Sequence, residues 1–287
     1  MKRLARFALF FLLTLAVGQA VRAGENPPAA AAPAGMAFIP AGDYAALLRM
    51  KDEPERTSVA AYWLDIRPVT NAEFLEFVRA HPQWRRSRVS PLFADRSYLV
   101  DWAGDLELGP AARADAPVVR VSWFAARAYA KAAGKRLPTT VEWERAASAG
   151  FTTPISASEP GFSRAVLAWL ARPTPSPLPP AGAGRPNFFG VRDLHGLVWE
   201  WVDDFNTAMT TGESRADTGL ERNLFCGAGA AGARDLTDYA AFMRIGMRSS
   251  LQANYAVPNV GFRCARTLTS ALSPPPSFRD TPVALLP

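Results

Sequence analysis

Apolar and polar residues alternate in blocks along the chain, and the first block carries the clearest pattern. After Lys2, Arg3 and Arg6 an apolar run covers Phe7–Val17, and a more polar stretch with small side chains ends at Ala23. A cationic start, a short apolar centre and a small-residue end are typical of a secretory signal peptide. We predict cleavage after Ala23. A retained membrane anchor is the alternative, although a spanning helix needs about 20 apolar residues and this run is shorter.

Three segments further along show the pattern of helix starts. Thr70-Asn-Ala-Glu73 and Thr139-Thr-Val-Glu142 are capping boxes, in which the first and last residues satisfy each other's backbone N–H groups. Ser122 is placed to cap a further helix that ends at Gly134. The sequence therefore predicts three short helices, which begin after Thr70, Ser122 and Thr139, the last running to about Ala149.

Short strands and long loops account for the rest of the pattern. Strands are predicted at Met36 to Pro40, Ala61 to Ile66 and Asn259 to Arg266, whereas Phe151 to Pro186 is Pro-rich and reads as an irregular surface segment. An Ala/Pro run forms a linker at 24–34, and 268–287 is a Pro-rich tail. We predict one irregular, loop-rich α+β domain over residues 35–267.

Charge changes this picture little. The full chain carries a net charge of +6, but four basic residues and no acid lie in residues 1–23, so the remainder carries +2. Acids and bases are interspersed there, which gives little support to nucleic-acid binding. No later apolar stretch is long enough to span a membrane.

Six blocks, in order, resemble the formylglycine-generating enzyme (sulfatase-modifying factor) family. They begin at Gly35, Trp63, Pro117, Gly134, Asn187 and Gly261. They include "GKRLPTTVEWE", "NFFGVRDLHGLVWEW" and "GFRCA". The resemblance implies the family's irregular α+β fold, distantly similar to C-type lectins. A stretch reading "FCGAGA…DYAAFMR" resembles the branch with pyoverdine-maturation and nitrite-reductase accessory proteins.

The resemblance implies a calcium site at Asp193-Leu-His-Gly-Leu-Val-Trp-Glu200. The matching family positions use the side chains of Asp193 and Glu200 and the carbonyl oxygens of Gly196 and Val198. Oxygen ligands of this kind suit Ca²⁺. The alternative is that the two carboxylates only accept hydrogen bonds from neighbouring loop amides.

The same resemblance argues against the family's cysteine chemistry. Family members oxidise a substrate cysteine with copper bound by two cysteines, and thiolates suit Cu(I). Counting back from Gly261-Phe-Arg-Cys264, those two positions fall on Asp235 and Ala240. Copper-dependent formylglycine formation is therefore not expected.

Only two cysteines are present, Cys226 and Cys264. An even number in an exported protein favours a disulfide between them; the alternative makes Cys226 a displaced copper ligand. His81 and His195 are the only histidines, so the multi-histidine iron site of a related branch cannot form within one chain. We expect His195 to be packed or hydrogen-bonded and His81 to be exposed.

Acidic, phenolic and guanidinium groups occupy the segment where the family has its pocket. The candidate pocket residues are Asp235, Asp238, Tyr239, Arg244 and Arg248. Buried convergent polar groups suggest a binding or catalytic site, and an Asp–Arg pair that only supports the loop is the alternative.

Three functions follow from these observations. The first is a periplasmic or secreted accessory or maturation factor that binds a redox protein or a peptide-like substrate. The second is an oxidoreductase with non-cysteine chemistry on a peptide or siderophore precursor. The third is a lectin-like binding domain, which rests on fold analogy alone.

Overall fold

A three-stranded antiparallel sheet joins the two ends of the domain. The computed structural model describes residues 32–45, 56–159, 161–205 and 236–268. Strand β4 (Tyr62–Asp65) is the central strand, between β1 (Met36–Ile39) and β7 (Ala265–Thr267). All four residues of β4 are buried, as expected for a strand that is covered on both faces. Two short pairs complete the sheets: β2 (Gly42–Tyr44) with β3 (Thr57–Val59), and β5 (Trp199–Trp201), parallel to β6 (Val260–Phe262).

The three predicted helices are present, and their caps explain why. Helices α1 (Asn71–Ala80) and α3 (Thr140–Ala147) both begin with the complete capping box predicted from the sequence. Helix α2 (Trp123–Ala132) begins at Ser122, whose hydroxyl accepts a hydrogen bond from the backbone N–H of Ala125. Gly134 follows α2 with a φ of +66°, a conformation that glycine adopts without strain. The helix α3 ends two residues before the predicted Ala149.

Two further helices were not predicted. Helix α4 (Phe162–Leu170) interrupts the segment that the sequence pattern assigned to irregular structure, so that assignment is wrong over these residues. Its N-cap, Gly161, provides no side-chain hydrogen bond, and prolines follow soon after the helix, so the local signals are weak. Helix α5 (Leu236–Ser249) contains Gly246 in its interior, which lowers intrinsic helix propensity. The two helices pack on each other through a small apolar cluster formed by Phe162, Val166 and Ala240.

The core is rich in aromatic residues whose polar atoms are satisfied. The indole N–H of Trp201 donates to the carbonyl oxygen of Val121 (2.9 Å), and that of Trp123 donates to Val202 (3.0 Å). These bonds tie β5 and the residues that follow it to the start of α2. The described residues thus form a mixed helix and sheet domain, and the predicted fold class is confirmed. No described helix has the length and apolar character needed to cross a bilayer.

Candidate functional site

A buried ion network joins α3 to α5. Glu144 lies on the inner face of α3, and Arg244 and Arg248 lie one turn apart on α5, so both guanidinium groups reach the same carboxylate. Arg244 donates from Nε to Oε1 (2.9 Å) and from Nη2 to Oε2 (2.6 Å), and Arg248 donates from Nη1 to Oε1 (3.0 Å). All three side chains are buried. The network therefore holds two cations on one anion.

A second buried pair lies beside the first. Arg263, which follows β6, donates from Nε and Nη2 to the two carboxylate oxygens of Glu200, both at 2.8 Å. Neither side chain has any solvent exposure. The indole of Trp143 separates the two pairs: its N–H donates to Glu200 (2.7 Å), and the guanidinium carbons of Arg244 and Arg248 lie 5.2 Å and 4.6 Å from its ring centroid.

The network around Glu144 and the Arg263–Glu200 pair differ in their charge balance. Glu200 and Arg263 neutralise each other, whereas Glu144 balances only one of its two arginines. Burial alone would raise the pKa of Glu144, but the charge of Arg244 and the other contacts outweigh it, and the pKa lies below its ordinary value. Burial lowers the pKa of Arg248, with Arg244 acting in the same direction and Glu144 opposing it. Among the described residues, the site therefore carries one unbalanced positive charge.

A cavity of about 90 Å³ opens beside this network. Its polar wall includes Arg244, Arg248 and Glu200, and the rest is largely apolar. The apolar part combines aromatic and aliphatic side chains from α3, α4, the segment before β5 and the first residue of β5, namely Trp143, Val166, Trp169, Leu170, Leu194, Leu197, Val198 and Trp199. An apolar pocket with a few convergent polar groups is typical of a ligand-binding site.

His195 also lines this cavity. Its Nε2 atom lies 2.8 Å from the carbonyl oxygen of Ala147, and its ring packs edge-on against Phe162. Burial, with the nearby charge of Arg244, lowers the pKa of His195 to about 4, so the imidazole is neutral near pH 7 and Nε2 carries the proton donated to Ala147. The expectation of a packed, hydrogen-bonded His195 agrees with these contacts. His81, expected to be exposed, is instead half-buried, and its ring stacks on Phe77 at 4.7 Å.

The residues predicted to bind calcium have other partners in the structure. Asp193 accepts hydrogen bonds from the backbone N–H groups of Gly182 (2.5 Å) and Gly184 (2.9 Å), which corresponds to the alternative named for it. Both oxygens of Glu200 accept from Arg263. Within the described residues, no three His, Cys, Asp or Glu side chains are grouped to hold a metal ion. Both carboxylates thus accept hydrogen bonds from protein donors, and calcium binding stays a prediction.

Gly196 and Val198, the two predicted carbonyl ligands, line the cavity. The indole of Trp169 lies directly against Gly196: a Cβ atom added there would fall 0.5 Å from Cζ2 of Trp169. A glycine is therefore required at this position for the ring to pack. Trp169 covers the segment that the sequence assigned to the metal.

The positions matched to the family cysteines have different surroundings. Ala240 is buried in the apolar cluster with Phe162 and Val166. Asp235 and Cys226 lie outside the described residues, as do the side chains of Asp238 and Tyr239, so the predicted disulfide remains a prediction. Cys264 is fully buried, and burial together with the Asp65 carboxylate holds the pKa of its thiol well above the ordinary value.

Of the five predicted pocket residues, the structure describes the side chains of two, Arg244 and Arg248, and brings them together. Sequence reasoning missed their partner Glu144, and also Trp143 and Arg263. The four-residue spacing of the two arginines was the available signal, because residues i and i+4 share one helix face. Nothing local identified Glu144, since it lies about 100 residues away in the sequence.

A family model described as "Sulfatase-modifying factor enzyme 1-like domain" matches residues 22–268 of the chain. Two relatives illustrate the range of the similarity. A formylglycine-generating enzyme of Mycobacterium tuberculosis is 28% identical over 266 residues, which cover 72% of this chain and 88% of the relative. A hercynine oxygenase of Mycolicibacterium smegmatis is 36% identical over 156 residues, which cover 47% of this chain.

The chain spans only 35%, 23% and 28% of the length of three of the relatives it matches. Among solved structures, PvdO from Pseudomonas aeruginosa aligns with 20% identity and a TM-score of 0.43, covering 81% of this chain and 94% of that one.

Proposed function

The chain belongs to the sulfatase-modifying factor enzyme 1-like domain family, and on that premise we propose that it is an exported accessory or maturation factor. In this proposal the cavity beside Arg244 and Arg248 binds a redox protein or a peptide-like substrate. The protein acts in the periplasm or outside the cell and does not use cysteine–copper chemistry.

The observation that supports the proposal most directly lies on helix α5. Its Arg244 and Arg248 form the wall of a cavity, while Ala240, at a position matched to a family cysteine, is buried against Phe162 and Val166. A methyl group in an apolar cluster can neither bind copper nor react with a thiol. This arrangement supports binding at the cavity and argues against the family's oxidation.

Oxygen uptake tests the chemical half of the proposal. The purified protein is incubated with a cysteine-containing peptide and Cu(I), with the M. tuberculosis formylglycine-generating enzyme as positive control. We expect no peptide-dependent and copper-dependent oxygen uptake by this chain. Uptake at a rate comparable to the control would refute the proposal and make the protein an oxidase.

A complementation experiment tests the binding half. In a strain from which the gene for this protein is deleted, we expect the wild-type gene to correct the defect caused by the deletion. We expect the Arg244→Gln gene not to correct it, because the cavity wall loses a charge. Arg113→Gln is the matched control, since Arg113 pairs with Asp115 at the surface and both side chains are about half exposed. Full rescue by Arg244→Gln at wild-type protein level would argue against the cavity as the functional site.

A further inference from the structure

We propose that the cavity beside Arg244 and Arg248 binds the free carboxylate of an apolar peptide C-terminus. This inference rests on the function proposed above and names the chemical class of its ligand. It follows from three properties of the described residues: an unbalanced charge, guanidinium atoms without partners, and an apolar groove that continues from the cavity.

The unbalanced charge sets the charge of the ligand. Arg244 and Arg248 share Glu144, and Arg263 is matched by Glu200, so the described buried groups around the cavity sum to +1. A buried cation without a counter-charge is unfavourable. An anion with a single charge would balance the site, whereas a phosphate dianion would leave an excess negative charge.

The guanidinium atoms supply donors for that anion. Hydrogen bonds to described residues use Nε and Nη2 of Arg244 and Nε and Nη1 of Arg248. Among the described residues, none accepts a hydrogen bond from Nη1 of Arg244 or from Nη2 of Arg248. Arginine N–H groups at such positions suit a carboxylate, with which they form short charge-assisted hydrogen bonds.

An apolar groove extends the cavity and indicates what carries the carboxylate. This groove, of about 620 Å³, shares Trp169, Arg172, Thr174, Gly196 and Leu197 with the cavity. Prolines provide much of its remaining lining, at Pro173, Pro175, Pro179 and Pro180. The cavity itself, at about 90 Å³, has room for about three water molecules, which is enough for a terminal carboxylate. The preceding apolar residues of the ligand would then lie in the groove.

Fluorescence titration with short peptides tests the proposal, because three tryptophans line the cavity. The probes are N-acetyl-Ala-Leu with a free carboxylate, its C-terminal amide, and N-acetyl-Ala-Glu amide, which carries its carboxylate on a side chain. We expect the free carboxylate to bind at least about tenfold more tightly than the amide, as hydrogen bonds to a charged group imply. Equal binding of acid and amide, or no saturable binding of the acid, would overturn the proposal.

The remaining probes separate other sources of an anion. Binding of the Glu-containing amide as tight as that of the free acid would overturn the assignment to a C-terminus. Competition by inorganic phosphate at lower concentration than the peptide acid would overturn the choice of a carboxylate.

Two tryptophan variants locate the site without removing a charge. Leu197→Trp narrows the cavity and is expected to abolish binding of the peptide acid. Leu92→Trp is the matched control, because Leu92 is 71% exposed and does not line the cavity. Unchanged binding by Leu197→Trp would place the peptide elsewhere and refute the inference.

Glu144→Gln provides a second, independent measurement, because it leaves both arginines without their shared carboxylate. We expect the peptide acid to raise the melting temperature of this variant more than that of the wild type. An equal or smaller rise would contradict the proposed contact with the arginines. Copper-dependent oxygen uptake would reject the proposed function without affecting carboxylate selectivity, so the two failures are distinguishable.

Discussion

Replacing Glu200 with glutamine tests whether the Arg263–Glu200 pair stabilises the domain through its charge. The substitution keeps the size of the side chain but removes the carboxylate that neutralises the fully buried Arg263. It also places an amide N–H₂ among three N–H donors, two from Arg263 and one from Trp143. Breaking a buried pair in this way is expected to cost about 3–5 kcal/mol of unfolding free energy.

For a domain of this size, 1 kcal/mol corresponds to about 2–4 °C in melting temperature. We therefore expect Glu200→Gln to melt roughly 6–20 °C below the wild type, as measured by circular dichroism and by urea unfolding. Asp115→Asn is the matched control, because it breaks a pair with Arg113 that is about half exposed. Surface pairs of this kind contribute about 1 kcal/mol or less.

A double variant separates charge from packing. In Glu200→Gln combined with Arg263→Met, no unpaired charge remains, so we expect part of the lost stability to return. A loss below about 1 kcal/mol in Glu200→Gln alone would refute the reasoning. A double variant as unstable as the single one would show that charge does not account for the loss, and that packing and the hydrogen bonds from Arg263 to backbone carbonyl oxygens do.

Four further predictions concern the same part of the molecule. His195 has a pKa of about 4 in the folded protein and about 6.5 in the unfolded chain. As the pH is lowered from 6.5 to 4, the unfolded chain therefore binds the proton first, and the free energy of unfolding should fall. His195→Gln should reduce the difference between the unfolding free energies measured with urea at pH 7 and pH 5. Gly196→Ala should displace the Trp169 ring, lower stability by about 1–3 kcal/mol and shift tryptophan emission, whereas unchanged emission would contradict the packing described. Calcium bound at the predicted site should raise the melting temperature above that in EDTA, and Asp193→Asn should abolish the rise; an unchanged melting temperature would leave Asp193 only as an acceptor of backbone N–H groups. In denaturant, the predicted disulfide should block alkylation of both cysteines until reductant is added, as measured by intact mass, and alkylation of both thiols without reductant would exclude it.

Local chemistry decided which parts of the fold could be predicted from sequence. The capping boxes at Thr70 and Thr139 formed as predicted, because both partners lie within four residues of each other. Helix α4 was missed since Gly161 gives no side-chain cap and prolines follow the helix. Its position is determined by apolar contacts with α5, which lies about 75 residues later.

The site was harder to predict from the sequence for the same physical reason, namely that its contacts join residues far apart in the chain. A glutamate on a short helix is ordinarily expected to face solvent, and Glu144 is buried only because two arginines from α5 reach it. The family resemblance assigned the carboxylates of Asp193 and Glu200, at the two ends of one short stretch, to a calcium site. Spacing could not show that Arg263 would occupy both oxygens of Glu200.

The position of β7 has a consequence for the order in which the domain folds. One edge of the central strand β4 pairs with β1, which lies near the start of the domain. Its other edge pairs with β7 (Ala265–Thr267), which lies about 200 residues later in the sequence. Arg263, the partner of Glu200, arrives with the same final segment. Contacts so distant in sequence close slowly, and neither the sheet nor the buried pair is complete until the last described residues have been synthesised. The central sheet and the Arg263–Glu200 pair therefore form only after nearly the whole domain has been translated.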